Sequence, residues 1–344
     1  MYSVGSVGTS FKIGVDGGGT KTECILVDAA GGIVARHLAP GCNPSQVGPE
    51  KARTILTEAL QALCSLCPAT AGTNPGPAAS PGDGRDDPRD SSRKQPGAGT
   101  GAPFQISSTL LCMAGNRGFW RETADGLAGF GQIATMDDSV PVLELATGGA
   151  PGLVLHAGTG SFVAARAPDG TVHYAGGLGW KFGDPGSGFD IGRRALGLAL
   201  LELQTGPAPG AGRRSPLAEA LCAHTGLADY AANSRFFYYD DGANAKIAGF
   251  APLVLQLAEQ DCGPAQQVVA DSVTELARLV DEVLHRHFPR AGAALPCGVS
   301  GRILNSVPAA FALRSLASKL HWPVELRFMD IPPIEGVRRL LGRL

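Results

Sequence analysis

Long apolar runs are missing from this 344-residue chain, although 44% of its residues are hydrophobic. A membrane-spanning helix needs roughly 18 or more consecutive apolar residues, and no such stretch occurs. Residues 1–10 also lack a basic patch followed by an apolar stretch, which is the build of a secretory signal. We therefore expect a cytoplasmic protein that does not associate with a membrane.

The chain also has no large excess of positive or negative charge. Charged residues make up 17% of the chain, and the net charge is −2 at pH 7. Nucleic-acid-binding proteins carry a basic surface that this balance does not provide, so we expect no nucleic-acid partner. Any anionic ligand must be held by groups placed locally.

Metal-ligand patterns are also few. The eight cysteines are scattered, and the one close pair is Cys64 and Cys67. A C-x-x-C pair can be redox-active or form half of a metal site, but no second pair or His-x-x-x-His pattern completes it. Buried thiols in a reducing compartment are the expected state of these cysteines.

Length and a repeated pattern predict two domains of roughly 100–200 residues each. Three strand-like runs followed by a helix begin near Phe11, and a similar series of strands begins near Leu153. Residues 188–287 are mostly helical in pattern, which predicts a helical insertion in the second domain. Residues 68–103 are rich in Pro, Gly, Ala, Ser and charges, and this composition predicts a disordered surface loop.

Two glycine-rich turns suit a polyphosphate ligand, because glycine brings backbone N–H groups close to it. The first is Asp16-Gly17-Gly18-Gly19-Thr20-Lys21-Thr22 and the second is Ala157-Gly158-Thr159-Gly160-Ser161, each between two strand-like runs. Neither fits the Walker or the dinucleotide fingerprint, since both of those open a helix. An ordinary hairpin turn is the alternative for each motif taken alone.

A third loop, Gly176–Gly188, runs into a predicted helix near Phe189. Ser187 is the expected N-cap of that helix, and Asp190 is expected to reciprocate. Asp184, near the end of the loop, offers a carboxylate that can accept hydrogen bonds from sugar hydroxyls. Its alternative role is an Asx-turn or a second cap.

These motifs, taken in order with Val299-Ser300-Gly301, resemble the phosphate and adenosine motifs of the BadF/BadG/BcrA/BcrD ATPase family. The resemblance covers nearly the whole chain outside residues 68–103. It implies an α/β fold of two RNase H-like lobes (the actin-like ATPase fold) around a nucleotide cleft. The implied domains are residues 11–148, with the helix of residues 331–344 packing back on them, and residues 149–330 with the helical insertion.

The resemblance also implies ATP and Mg²⁺ as cofactors and assigns roles to individual residues. Asp16 would orient Mg²⁺ through water, Gly301 would approach the adenosine, and Asn43, Gly177 and Asp184 would contact a sugar. A plain turn residue before Pro44 is the alternative for Asn43. The phosphates would be held by Gly17, Gly18, Gly19, Thr20, Lys21, Gly158, Thr159, Gly160 and Ser161.

The implied activity is phosphorylation of a hydroxyl of an amino sugar, N-acetylglucosamine or glucosamine at its 6-OH, with the sugar as the small-molecule partner and a homodimer left open. An ATPase activator without sugar kinase activity is the alternative within the same family, and a sugar-binding regulator is a third. Three residues depart from the family pattern. Leu178 and Pro185 replace family residues that bear on the preference for a hexosamine. Arg302 replaces the second glycine of the adenosine motif and so bears on how adenine binds.

Two carboxylates follow the strand-like run Gln132–Met136, where open α/β sheets place ligands. Alternation along a strand sends Asp137 and Asp138 to opposite faces. The family's catalytic aspartate precedes a small residue, and Asp138 before Ser139 is the better match, so Asp138 is predicted to be the catalytic base and to contact the sugar. Its alternative role is capping of the following helix.

Overall fold

The computed structural model describes residues 10–67, 105–207, 210, 212–238, 242–289 and 293–344. The predicted disordered loop, residues 68–103, lies outside the described residues.

Ten strands and eleven helices are present in the described parts of the chain. The strands are β1 (Ser10–Gly17), β2 (Lys21–Val27), β3 (Ile33–Pro40), β4 (Gln105–Met113), β5 (Gln132–Asp137), β6 (Gly152–Ala157), β7 (Ser161–Arg166), β8 (Val172–Gly176), β9 (Leu295–Ser300) and β10 (Val324–Phe328). The helices are α1 (Pro44–Val47), α2 (Pro49–Ser65), α3 (Arg117–Asp125), α4 (Ser139–Thr147), α5 (Gly188–Thr205), α6 (Pro216–Thr225), α7 (Tyr230–Tyr238), α8 (Ala243–Glu259), α9 (Gly263–His287), α10 (Val307–Lys319) and α11 (Pro333–Leu341).

The strands form two five-stranded sheets of the same topology. The first has the order β3-β2-β1-β4-β5, and the second, read from its other edge, has the order β8-β7-β6-β9-β10. In each sheet the first three strands are antiparallel hairpins, and the central strand then pairs in parallel with a strand that arrives after a helical connection. The predicted duplicated α/β fold with helices α5–α9 inserted in the second half is confirmed.

Each sheet belongs to its own compact unit. The first unit takes in the described residues up to Met136 together with Leu341–Leu344, and the second is Asp137–Leu340. Within the first unit, Lys12 Nζ donates to the Leu341 carbonyl at 3.0 Å. The boundary between the two compact units therefore lies before α4. The domains expected from the sequence divide at residues 148–149, and the first of them includes residues 331–344. Those domain extents stay a prediction.

Both cores follow from helical and strand periodicity. In the first unit, the apolar face of α2 packs on the sheet, with Leu56, Leu60 and Leu63 fully buried. In the second unit, residues of α5, α8 and α9 join those of β6, β7 and β9 in one apolar cluster, and α9 buries apolar residues at helical spacing along its length. The core of the second unit therefore extends from the sheet into the helical insertion.

Among the described residues, no helix is both long enough and apolar enough to cross a membrane.

Candidate functional site

The first glycine-rich turn joins β1 to β2 and is hydrogen-bonded to the segment that follows β3. Gly18 N donates to the Lys21 carbonyl at 2.9 Å, and Cys42 N donates to the Gly18 carbonyl at 3.1 Å. Gly41 lies so close that an added Cβ would fall 2.0 Å from the Gly19 carbonyl oxygen. Only glycine allows this approach, so the turn and the segment leading to Asn43 are fixed together.

Asp16 lies at the end of β1, directly before that turn. Burial raises the pKa of this carboxyl to about 6, with the positive charge of Lys21 opposing the rise and Glu23 adding to it. Glu23 faces Asp16 across the β1–β2 pair and is itself bracketed by Lys21 Nζ at 2.9 Å and Arg36 Nη1 at 3.1 Å. The Lys21 ammonium is thus paired with Glu23, and burial disfavours the ionised form of Asp16.

Asn43 caps α1, a four-residue helix that the sequence pattern did not predict. Its Oδ1 accepts a hydrogen bond from Ser45 N at 3.0 Å. Gly115, in the segment after β4, has φ +97° and packs against the same atom, since an added Cβ would fall 2.7 Å from Asn43 Oδ1. The turn role weighed for Asn43 is therefore real, and the group that the side chain offers to a ligand is its Nδ2 donor.

The two carboxylates after Met136 have different surroundings. Asp137 Oδ1 accepts hydrogen bonds from Ser139 Oγ at 2.5 Å and Ser139 N at 3.2 Å. Asp138 occupies the N-cap position of α4 with helical backbone angles, but its side chain makes no capping hydrogen bond. Because Asp137 binds the start of the helix, the capping role weighed for Asp138 falls to its neighbour.

The second glycine-rich turn joins β6 to β7 and packs on the first turn of α5. Gly188 N donates to the Gly158 carbonyl at 2.8 Å, and Phe189 N donates to the Thr159 carbonyl at 3.3 Å. Ser161 Oγ donates to the Pro185 carbonyl at 2.6 Å. The family's glutamate is replaced by proline at position 185, and the contact made here uses the backbone carbonyl, which proline retains.

Asp184 is buried beside this second turn. Its backbone has φ +67°, and its Oδ1 accepts a hydrogen bond from Gly179 N at 3.2 Å. Its Oδ2 lies where a side chain at position 160 would be, 2.8 Å from an ideal Cβ on Gly160. Burial raises the pKa of Asp184, with the Gly179 hydrogen bond opposing and the charge of Asp190 adding. A carboxylate acceptor therefore stands directly against a candidate phosphate-binding turn.

Helix α5 has the predicted N-cap residue but lacks the predicted reciprocal hydrogen bond. Ser187 Oγ accepts a hydrogen bond from Asp190 N at 3.1 Å, which confirms the cap. The expected reciprocal bond from Asp190 is wrong, since Ser187 N donates instead to the Asp184 carbonyl at 3.2 Å. The Asp190 carboxylate accepts from Arg193, Arg194 and Ser272, because two cations and a buried hydroxyl outcompete one backbone N–H.

Two further glycines from the sequence-based set lie around the same turn. Gly177, at φ +65°, donates its N–H to the Ser161 carbonyl at 3.0 Å. Gly301, at φ +94°, approaches so closely that an added Cβ would lie 2.1 Å from the Ala157 carbonyl oxygen. The structure thus brings Gly158–Ser161, Gly177, Asp184 and Gly301 together within the second unit. Gly17–Lys21, Asp16 and Asn43 are brought together within the first.

Sequence reasoning missed two groups near these residues. His156 is half-buried, and desolvation lowers its pKa to about 4; its Nδ1 lies 3.3 Å from Ser300 Oγ and its ring stacks on Phe162. Its position two residues before Gly158 was the available signal. Ser272 of α9 gave no signal, because a lone serine on an apolar helical face has no distinctive pattern.

The described residues contain no group of three or more His, Cys, Asp or Glu side chains that could hold a metal ion. Cys64 and Cys67 lie half-buried at the end of α2, and burial raises the pKa of both thiols.

Two sheets of duplicated topology, each with a glycine-rich turn between its first two strands in chain order, define an α/β protein of the actin-like ATPase fold. Residues 13–314 match the model of the BadF/BadG/BcrA/BcrD ATPase family, and the chain belongs to that family.

Individual relatives agree with this placement. An N-acetyl-D-glucosamine kinase of Dictyostelium discoideum is 24% identical over 284 residues, which are 80% of this chain and 79% of the relative. A Chromobacterium violaceum structure, provisionally described as an N-acetylglucosamine kinase, is 25% identical with a TM-score of 0.68, covering 96% of this chain and 98% of the other. A ROK family glucokinase from Streptomyces griseus shares the fold at 14% identity and a TM-score of 0.53, covering 96% and 98%.

Proposed function

We propose that the protein is an ATP-dependent sugar kinase that phosphorylates a hydroxyl of an amino sugar, N-acetylglucosamine or glucosamine at the 6-OH. Family membership supports the use of ATP, and the similarity to N-acetylglucosamine kinases supports a sugar as the acceptor. The observation that carries the proposal is Asp184, a buried carboxylate fixed by the Gly179 N–H against the Gly158–Ser161 turn. A kinase for a polyhydroxylated substrate needs such an acceptor next to the phosphates.

The sugar is held by side chains whose geometry is set before it arrives. Asp184 accepts hydrogen bonds from sugar hydroxyls. Asn43 donates through Nδ2, because its Oδ1 is used by Ser45 N and packs against Gly115. Gly177 leaves room for the ring, since its position carries no side chain. These contacts position the acceptor hydroxyl, which is most of what phosphoryl transfer requires of a protein.

The phosphates are held by backbone N–H groups of the two glycine-rich turns, Gly17–Lys21 in the first unit and Gly158–Ser161 in the second. Gly301 leaves space for the adenosine. Lys21 is a weaker candidate for direct phosphate contact than the glycines, because its ammonium is paired with Glu23.

Asp16 fits a role in holding Mg²⁺. Burial raises its pKa to about 6, so a nearby cation would relieve the cost of its charge. Mg²⁺ in kinases is bound by one or two carboxylates together with water and substrate phosphates, which agrees with a single carboxylate here. When bound, the ion would neutralise charge on the phosphates.

Asp138 accepts the proton of the sugar hydroxyl while that oxygen attacks the γ-phosphorus. The bond from the γ-phosphorus to the β,γ-bridging oxygen breaks, and ADP leaves with the electron pair. The proton ends on the Asp138 carboxylate. Asp138 is assigned as the base because it follows β5 and precedes the small residue Ser139, as the family's catalytic aspartate does, whereas Asp137 binds the start of α4.

An ATP-consumption assay tests the activity directly. ADP formation is measured with N-acetylglucosamine, glucosamine, N-acetylmuramic acid, glucose and buffer alone, and the product is examined by mass spectrometry. We expect ADP formation to depend on an amino sugar and to yield its monophosphate, and a 6-deoxy analogue to be inactive as acceptor. ATP hydrolysis that no sugar changes would contradict the proposal and favour the activator alternative.

A further inference from the structure

One face of α9 contacts both ends of the Gly176–Gly188 loop, which we call the 176–188 loop. Gly176 has φ +76°, and an added Cβ would lie 3.1 Å from Leu279 Cδ1. Gly186 has φ +79°, and an added Cβ would lie 2.7 Å from Leu276 Cδ2. Ser272, Leu276 and Leu279 share a helical face at spacings of four and three residues, so one stripe of the insertion carries the loop.

Ser272 supplies the polar part of that stripe. Its side chain is fully buried, and its Oγ accepts a hydrogen bond from Gly186 N at 3.0 Å. The same hydroxyl donates to Asp190 Oδ2 at 2.7 Å. Ser272 therefore joins three elements: α9, the loop, and the first turn of α5.

The Asp190 carboxylate fixes the direction of this hydroxyl. Arg194 Nε donates to Asp190 Oδ2 at 2.8 Å, Arg193 Nη2 donates to Oδ1 at 2.8 Å, and Arg194 Nη2 pairs with Glu275 at 2.7 Å. Both oxygens of Asp190 accept from guanidinium groups, so the carboxylate acts as an acceptor here. The Ser272 proton must then point to Asp190, and the lone pairs of Oγ are left for Gly186 N.

We propose that Ser272 is a positioning residue for the sugar: through Gly186 it holds the part of the 176–188 loop that carries Asp184. This inference rests on the proposed function, since it assigns Asp184 to the sugar. Asp184 is two residues before Gly186; its side chain accepts a hydrogen bond from Gly179 N, and its carbonyl accepts one from Ser187 N. The hydrogen bonds of Ser272 go to Gly186 and Asp190.

Ser272→Ala removes the acceptor of a buried N–H, and leaving such a group unsatisfied costs enough to shift a conformational equilibrium by about tenfold or more. We expect the KM for the sugar to rise about tenfold, with the KM for ATP within about twofold of wild type and kcat at saturating sugar largely kept. Thr274→Val on the same helix is the matched control. It removes a hydroxyl whose bond, to the Ala270 carbonyl at 2.7 Å, stays within α9. If Ser272→Ala does not fold, Ser272→Cys keeps a weaker donor and acceptor of similar size and should give an intermediate KM.

Hydrogen exchange of the ligand-free protein tests the anchor without any sugar. The backbone amides of Gly183, Asp184 and residues 186–188 should exchange faster in Ser272→Ala than in wild type, and at the wild-type rate in Thr274→Val. Unchanged exchange in Ser272→Ala, or an equal rise of the KM for ATP and sugar, would overturn the inference. A wild-type protein that phosphorylates no sugar would overturn the proposed function instead, and faster exchange in Ser272→Ala would still support the anchor.

Discussion

Two neighbouring carboxylates lie at the end of β5, and we propose a structural role for Asp137 and a chemical role for Asp138. Asp137 accepts both the amide and the hydroxyl of Ser139 and so stabilises the first turn of α4. Asp138 takes the N-cap position without a capping bond from its side chain. A base must be able to reach the hydroxyl of a substrate, and a carboxylate tied to the helix start is poorly suited to that work.

Asp138→Asn keeps the shape of the side chain and removes its ability to accept a proton. We expect kcat to fall at least about a hundredfold, because general-base catalysis contributes roughly 10²–10⁴ in rate. The melting temperature should stay at the wild-type value. Asp137→Asn is the matched control and should turn over at nearly the wild-type rate. The assignment fails if Asp137→Asn loses activity and Asp138→Asn does not.

The buried charge of Asp16 should lower the free energy of unfolding at neutral pH. Its pKa is raised to about 6 from the ordinary value of 3.8, so the folded state binds the proton more tightly than the unfolded state. The free energy of unfolding therefore falls as the pH rises from about 4 to about 6. Asp16→Asn removes that cost, and we expect a gain of about 1–3 kcal/mol at neutral pH together with a large loss of activity.

The gain in Asp16→Asn should shrink as the pH falls and approach zero below about pH 3, where the wild-type carboxyl is protonated in both the folded and the unfolded state. Urea unfolding at several pH values measures it. Asp125→Asn, at an exposed position of α3, is the control and should show no such gain. A destabilised Asp16→Asn at pH 7 would mean that the charge is compensated by groups of the fold itself.

At the scale of elements, long periodic segments were predictable and short or coupled ones were not. The apolar spacing of α2 and α9 gave both helices, because burial of one helical face determines them. Helix α1 has only four residues, too few to show an apolar periodicity, and it was not predicted. Asn43 followed by Pro44 is nevertheless a pattern typical of a helix N-cap. The partners of Asp190 could not be predicted, because Ser272 lies 82 residues away in sequence.

The cap of α1 and the proposed sugar contact use different atoms of Asn43, so one substitution separates them. Asn43→Asp keeps the Oδ1 acceptor for Ser45 N, and aspartate caps helices as well as asparagine does. The Nδ2 donor is lost. We expect an unchanged melting temperature, a rise of about tenfold or more in the KM for the sugar, and little change in the KM for ATP.

Asn116→Asp is the matched control, because Asn116 caps α3 in the same way, accepting from Phe119 N at 3.1 Å. It should leave the KM for the sugar near the wild-type value. If both variants raise it equally, the effect comes from added negative charge. If Asn43→Asp has no effect, Asn43 is a capping residue only.

At the scale of the whole molecule, the duplicated sheet was predictable because the strand pattern repeats in the sequence. The boundary between the compact units at Met136 accompanies contacts of α4 with β6, β7 and β9 that no local pattern records, and the domain extents expected from the sequence stay a prediction. Each unit carries a glycine-rich turn. Under the proposed function, nucleotide binding should raise the melting temperature of the protein.

A ligand that binds only the folded state stabilises it by about 2.7 kcal/mol at a hundredfold excess over its Kd. Roughly 2–4 °C of melting temperature corresponds to each kcal/mol in larger chains, so we expect a rise of about 5–10 °C with a non-hydrolysable ATP analogue and Mg²⁺. The amino sugar should add a further rise. Asp184→Ala should lose the sugar shift and keep the nucleotide shift, whereas Asp138→Asn should keep both, because a base acts mainly in the transition state. Loss of the nucleotide shift in Asp184→Ala would show that this carboxylate supports the phosphate turn through Gly160 and does not bind the sugar.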